Sequence, residues 1–376
     1  MLRSKRSEID MDALVGTPYL LIDGARMERN IRGMADVARR AGVSLRPHIK
    51  THKSPFIAKK QLEAGAVGIT AAKVSEAEVM VDAGIRDVFI AYPVVTEPRV
   101  QQAIELSKRT DLTVGVDSLE GAKRLAEAAR EEDVALDVRL EIDTGLRRTG
   151  VPYDDAVKVA YQIDRLQGLN LTGIYTYRGA VLGGSKTLDL KAAGEEEGKL
   201  MVSLADRIRE QGVGVEDVSV GSTPTVEYVA EVEGVTEIRP GTYVFYDRMQ
   251  DRLDACSIED CAATVITSIV SRPHEDVAMI DGGSKTFATD VLPDEPPINL
   301  RGYGQVMGSP EIVLESLWEE HGRLAVSGEH DFGVGDRVQI VPNHICSTVN
   351  LHNKVYLLNE DSTVQALEVA ARGKVR

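Results

Sequence analysis

Cysteine is scarce in this sequence, and its three residues, Cys256, Cys261 and Cys346, are an odd number. That argues against a disulfide framework and leaves each thiol free for another role in a reducing compartment. No run of lysine and arginine exceeds a few residues, and 59 acids against 44 bases give a formal charge of -15. Such a balance repels nucleic acid and anionic membrane surfaces, so neither is an expected partner. No window reaches the apolar length needed to cross a bilayer, and Met1 to Ala13 is charged where a secretion signal would be apolar. The expected location is cytoplasmic. Internal repeats and low-complexity stretches are missing as well. What is there is 376 residues, 43% hydrophobic and 27% charged, a globular composition with more material than one small core can use.

From residue 45 to about 245, short β-like runs alternate with longer segments of helical period, the pattern of parallel strands joined by helical crossovers. Strands are predicted over 45–50, 67–72, 87–92, 112–117, 135–143, 169–175, 217–221 and 237–240. Amphipathic segments over 76–83, 99–108, 119–130, 153–166 and 194–210 lie between them, with apolar residues at three- and four-residue intervals. An open doubly wound sheet could use the same alternation, but a count of eight favours a closed α/β barrel of the (β/α)8 TIM type. After Tyr246 the texture changes to strands over 262–271, 277–281, 337–341 and 354–358, separated by Gly and Pro turns. The expected organisation is a barrel over 24–248 and a mostly β domain over 249–376. A strand at 18–22, within the N-terminal segment 1–23, would join the β domain, and a helix over 25–41 would follow it.

Lys50 lies in Arg46-Pro47-His48-Ile49-Lys50-Thr51-His52-Lys53. It would end the first barrel strand, and active sites of such barrels form where strands meet their following loops. The plain alternative is a surface lysine near a basic turn. Against that, His48, His52 and Lys53 would crowd cations at the barrel mouth, which lowers a lysine's pKa and attracts a phosphorylated ligand. Two later segments offer phosphate donors: Gly221-Ser222-Thr223-Pro224-Thr225 after the seventh strand and Arg239-Pro240-Gly241-Thr242-Tyr243 after the eighth. Phosphate sites in these barrels sit after strands seven and eight. Tyr175 and Tyr177, at the end of the sixth strand, share a face of it.

Arg-Pro-His-Ile-Lys-Thr-His-Lys resembles the cofactor-lysine motif of the D-threonine aldolase and D-serine dehydratase family, fold-type III relatives of alanine racemase. The resemblance covers nearly the whole chain: Thr17-Pro18-Tyr19, the two segments after strands seven and eight, Glu319-Glu320-His321-Gly322, and Pro342-Asn343-His344-Ile345-Cys346. It implies pyridoxal phosphate held as a Schiff base on Lys50, and a homodimer whose β-domains cover the partner's barrel mouth. Arg148 matches the arginine that such enzymes direct at the cofactor ring, Tyr175 and Tyr177 are candidates for packing against that ring or contacting its nitrogen, and Ser222, Thr223, Gly241, Thr242 and Tyr243 are the candidates around the phosphate.

His344 and Cys346 alternate, so on a strand or extended turn both side chains would project to one side and could grip one ion. Taken alone, His-x-Cys is more often plain packing. The resemblance implies a divalent-metal site at this histidine and at a Cys or Asp two residues on. Thiolate with imidazole suits zinc, and a carboxylate there would suit manganese or magnesium. The expected activity is a lyase of small D-3-hydroxy amino acids. D-Threonine aldolase chemistry, giving glycine and an aldehyde, stands first, and dehydration of D-serine or 3-hydroxy-D-aspartate to a 2-oxo acid and ammonia second. Ala180 after Gly179, where aldolases often carry histidine, and Cys346 both lean away from an orthodox aldolase. Racemisation would need a second acid-base group such as Tyr243 or Tyr246. A non-catalytic cofactor carrier would be a single barrel, without the β-domain.

Overall fold

The computed structural model describes residues 16–376 apart from 329 and 331, so the charged segment 1–13 lies outside the described residues. The chain divides into two compact units: Arg32–Gly241 with Gly373–Arg376, and the residues up to Ile31 with Thr242–Arg372. Among the described residues no helix is long and apolar enough to cross a membrane. The chain opens with β1 (Tyr19–Asp23), α1 (Gly24–Ala41), β2 (Ser44–Leu45), α2 (Pro55–Glu63), β3 (Ile69–Ala71), α3 (Val74–Asp82), β4 (Asp87–Ile90), α4 (Glu97–Ser107) and β5 (Asp111–Val116). It continues through α5 (Leu119–Glu131), β6 (Leu136–Asp143), α6 (Ala156–Ile163), β7 (Leu169–Tyr175), α7 (Leu190–Arg209), β8 (Asp217–Val220), α8 (Val226–Ala230) and β9 (Glu237–Ile238).

In the first unit the sheet order is β2-β9-β8-β7-β6-β5-β4-β3, parallel throughout. The ring closes between its ends, where Val67 and Thr70 N–H donate to the carbonyls of Leu45 (2.9 Å) and Pro47 (2.8 Å). The expected eight-stranded barrel is borne out. Its first strand is shorter than 45–50, because Pro47 has no N–H to donate and the chain leaves strand geometry. Ile49–Thr51 forms a single 3-10 turn, capped by His48 Nδ1, which accepts from Lys50 N–H at 3.4 Å. Lys50 therefore sits on a turn beyond the strand, not at its end.

Strand β6, Leu-Asp-Val-Arg-Leu-Glu-Ile-Asp, alternates apolar and charged residues, which usually means one dry face and one wet one. Here both are covered. Arg139 on β6 bonds Glu237 on β9, three strands away in the ring, so its side chain crosses the barrel interior. Leu136, Val138, Leu140 and Ile142 then point outward and are buried on the helical side. Helices follow the same logic: Ser118 caps α5 by accepting from Gly121 N–H at 3.2 Å, and Ala122, Leu125 and Ala129 on one face are fully buried.

The second unit contains β10 (Ala263–His274), β11 (Val277–Ile280), β12 (Gly304–Val306), β13 (Ser309–Leu317), β14 (Gly322–Ala325), β15 (Arg337–Pro342), β16 (Lys354–Leu358) and β17 (Val364–Glu368). Two short helices, α9 (Arg248–Arg252) and α10 (Ile345–Val349), accompany them. The sheet order is β11-β14-β13-β12-β15-β10-β1-β16-β17, and β10 also pairs with β11, so six strands close on an apolar core. Val265, Ile280, Phe287, Leu314, Leu324 and Ile340 fill it. Strand β1 runs antiparallel to β10 and parallel to β16 within this unit.

Candidate active site

Lys50 Nζ lies 5.1 Å from the centre of the Tyr177 ring, and the Arg148 guanidinium lies 4.9 Å from the same centre. Both cations are thereby brought to one aromatic surface that is 37% exposed at the barrel mouth. Asp143 shapes the loop that delivers Arg148: its Oδ1 accepts from the N–H groups of Gly145 (2.9 Å) and Arg147 (3.0 Å). Among the described residues neither Lys50 nor Arg148 has a carboxylate within ion-pairing distance. Two cations outside any ion pair on one aromatic ring suit a flat, anionic ligand, so this mouth fits pyridoxal phosphate.

The other cations expected around Lys50 turn out not to be free charges. His48 is held well below its ordinary pKa, first by burial and then by the positive charges of Lys50, Arg239 and Arg148. Burial drives His52 down to about 4, against hydrogen bonds with Gln61 and Ser54. Both imidazoles are neutral at pH 7. Lys53 is buried and paired with the buried Glu76 at 3.1 Å. The positive field at the mouth comes from Lys50, Arg148 and Arg239, and two of these lie far along the chain from the lysine motif.

Tyr175 and Tyr177 do not share an environment. Tyr175 is 1% exposed, and its hydroxyl donates to Glu141 Oε2 at 3.2 Å. Phe89 packs edge-on against its ring at 5.0 Å, and the Arg239 guanidinium lies 5.1 Å from the ring centre. Gly115 on β5 makes the room, since a Cβ there would overlap the Tyr175 hydroxyl. Tyr175 thus belongs to the barrel interior, and Tyr177, beyond the end of β7, belongs to the mouth.

The phosphate candidates fall in several places. Ser222 and Thr223 are buried in the turn ahead of α8, with Ser222 Oγ 3.1 Å from Thr225 Oγ1. Gly221 has a left-handed φ of +87°, and its N–H donates to the buried Glu197 at 3.1 Å. Gly241 backs onto the lysine turn: a Cβ there would come within 3.1 Å of the His48 carbonyl and 3.2 Å of Thr51 Oγ1. Thr242 and Tyr243 lie on a 3-10 turn in the second unit, with Tyr243 fully buried.

His344 and Cys346 are brought together, though not by a strand. His344 is the extended N-cap residue of α10, with φ -134° and ψ 109°, and Cys346 lies in the first turn. Pro342 ends β15 and sends the chain into the helix. The charges of the two side chains act on each other. Burial alone would raise the thiol, but His344 lowers it. Burial alone would lower the imidazole, but Cys346 and Asp290 lift it well above its ordinary value. Thr242 Oγ1 lies 3.5 Å from Cys346 Sγ. The buried Asp247 accepts from the N–H groups of Ile345 and Gln250, both at 3.0 Å, tying α10 to α9. Imidazole and an acidified thiol are a donor pair that fits a zinc-like ion. Among the described residues no group of three or more His, Cys, Asp or Glu is arranged to hold a metal by itself. Glu319 and Glu320 pair with Lys285 at 3.5 and 2.6 Å, as an exposed charge cluster does.

The family model for the alanine racemase N-terminal domain matches residues 22–249, and one for a putative serine dehydratase domain matches 262–358. The chain belongs to this family. A D-threo-3-hydroxyaspartate dehydratase of Delftia sp. (strain HT23) is 36% identical over 94% of this chain and 96% of its own length. A D-threonine aldolase of Arthrobacter sp is 30% identical over 96% and 94%. Among solved structures, a cysteine-to-alanine mutant of D-threo-3-hydroxyaspartate dehydratase in the metal-free form superposes with a TM-score of 0.86, at 36% identity over 94% of this chain and 97% of that one. The resemblance carried by the lysine motif is borne out, and these relatives bear names of lyases. The fold-type III family implies pyridoxal phosphate as the cofactor and a small D-amino acid as the substrate.

Proposed function

We propose that the protein is a pyridoxal-phosphate-dependent lyase that dehydrates small D-3-hydroxy amino acids to a 2-oxo acid and ammonia. The observation that carries this reading is the convergence of Lys50 and Arg148, both without a carboxylate partner, on the Tyr177 ring. When bound, pyridoxal phosphate supplies an electron sink for negative charge at the substrate's Cα. Lys50 is the residue that would hold it, and Lys50 Nζ is the base for the Cα proton. Arg148 and Tyr177 would hold its ring, and Tyr175 would support them from the barrel interior. Ser222, Thr223, Gly241, Thr242 and Tyr243 would serve as donors and close-approach positions for the phosphate.

A divalent metal on His344 and Cys346, zinc before manganese or magnesium given those donors, would supply Lewis acidity to a hydroxyl oxygen. The lowered thiol pKa supports this, as does the metal-free form of the cysteine-to-alanine mutant of the related dehydratase. Cys346 and the 36% identity to a dehydratase, against 30% to an aldolase, put elimination of water ahead of aldol cleavage. The working protein is a cytoplasmic homodimer in this reading.

The test is product identification after loading the protein with pyridoxal phosphate and zinc and supplying D-serine, 3-hydroxy-D-aspartate and D-threonine. Pyruvate, oxaloacetate or 2-oxobutanoate with ammonia supports dehydration. Glycine with an aldehyde moves the assignment to the aldolase. Recovery of only the opposite enantiomer would sink the lyase reading.

A further inference from the structure

We propose that Asp290 is the positioning residue for the metal donors, fixing the His344 imidazole so that Nε2 is the nitrogen offered to a divalent cation. The inference rests on the reading of His344 and Cys346 as metal ligands. Asp290 Oδ2 lies 2.7 Å from His344 Nδ1. A carboxylate can only accept there, so Nδ1 keeps its hydrogen and Nε2 is the nitrogen that would give up its proton to a metal. Ligating histidines commonly donate their second nitrogen to a carboxylate, which fixes the tautomer and raises the basicity of the nitrogen on the metal.

The same oxygen does a second thing. Ser347 Oγ donates to Asp290 Oδ2 at 2.8 Å, and Ser347 is the neighbour of Cys346 in the first turn of α10. One carboxylate therefore holds the imidazole directly and the turn bearing the thiol through one hydroxyl. The loop that carries Asp290 is itself anchored to this helix. Ala288 N–H donates to Thr348 Oγ1 at 3.2 Å, and Thr348 Oγ1 donates to the His344 carbonyl at 2.8 Å. Two clamps from residues 288–290 thus reach positions 344, 347 and 348. A plain surface ion pair would need only the first contact.

The experiment measures the zinc dissociation constant of the cofactor-loaded, full-length protein by competition with a chromophoric chelator. Wild type is compared with Asp290→Ala, Asp290→Asn, His344→Ala and Cys346→Ala, with thermal melts of the zinc-free proteins as the control for folding. Asp290→Ala is expected to weaken zinc by about 10- to 100-fold. Asp290→Asn, whose amide oxygen still accepts from Nδ1–H, should recover part of that loss. At saturating cobalt both Asp290 variants should keep the thiolate-to-metal charge-transfer band of Cys346. Should Asp290→Ala bind zinc like wild type while His344→Ala and Cys346→Ala do not, Asp290 is a surface ion pair and the inference fails with the metal reading intact. Wild-type affinity in His344→Ala and Cys346→Ala would overturn the metal reading and the inference with it.

Discussion

The parallel barrel and the antiparallel closed sheet are filled by opposite chemistry. Inside the first, Arg139 reaches Glu237 at 2.6 Å and Asp217 at 2.7 Å, while Arg46 Nε donates to Glu237 at 2.7 Å and Ser219 Oγ to the same carboxylate at 2.6 Å. Arg239 donates through Nε to Ser219 Oγ at 2.8 Å, linking this network to Tyr175 and Glu141 nearer the mouth. The second is filled by an apolar cluster that includes Ile280, Leu314 and Ile340. An apolar interior tolerates gradual loss. A buried charge network does not, because deleting one member leaves its partners desolvated and short of an acceptor. The network also brings Arg239 beneath the mouth, where its charge bears on His48.

That contrast can be broken most severely at Glu237. Glu237→Ala strips Arg46 and Arg139 of their shared acceptor and should cost about 3–5 kcal/mol, read as a lowered urea midpoint for the barrel amides in hydrogen exchange. Leu314→Ala in the apolar core should cost about 2–5 kcal/mol, confined to amides of the antiparallel sheet. Acid separates the two interiors further. Burial alone would raise the Glu237 carboxyl, but Arg139 and Arg46 hold it at about 2, below its ordinary 4.5. Its contribution to stability is therefore present above pH 4.5 and is lost as pH falls toward 2. In Glu237→Gln that part of the acid dependence should be missing from the barrel. The smallest effect is expected from Tyr175→Phe, which removes one hydrogen bond to Glu141 while Thr149 still donates to it at 2.8 Å; about 1 kcal/mol is the predicted loss.

Much of the architecture was legible because it is local. Each barrel strand is a short β-rich run between amphipathic segments, and that alternation gave the strand number and direction. Strand β13 escaped notice because Pro310, Glu311 and Glu315 interrupt its apolar pattern, and β12, of three residues, is too short to show a period. What the sequence concealed is pairing at a distance. A charged residue in a strand reads as solvent-facing, and nothing near Arg139 reveals that its partner lies 98 residues on. The same holds for the site. The lysine motif drew attention to His48, His52 and Lys53, yet burial neutralises the histidines and Glu76 pairs the lysine. Asp290, 54 residues before His344, carried no local signal. His344 and Cys346 straddle the start of α10, an extended N-cap residue and a first-turn residue, because β15 ends at Pro342 just ahead of them.

The most direct test of the central claim is the visible absorption of Lys50→Ala after loading with pyridoxal phosphate and removal of the excess. The band of lysine-bound cofactor, present in the wild type, should be absent, and dehydration of 3-hydroxy-D-aspartate should fall to background while zinc affinity is unchanged. An unaltered band in Lys50→Ala would show that another amine holds the cofactor and would contradict the assignment of this mouth as its site.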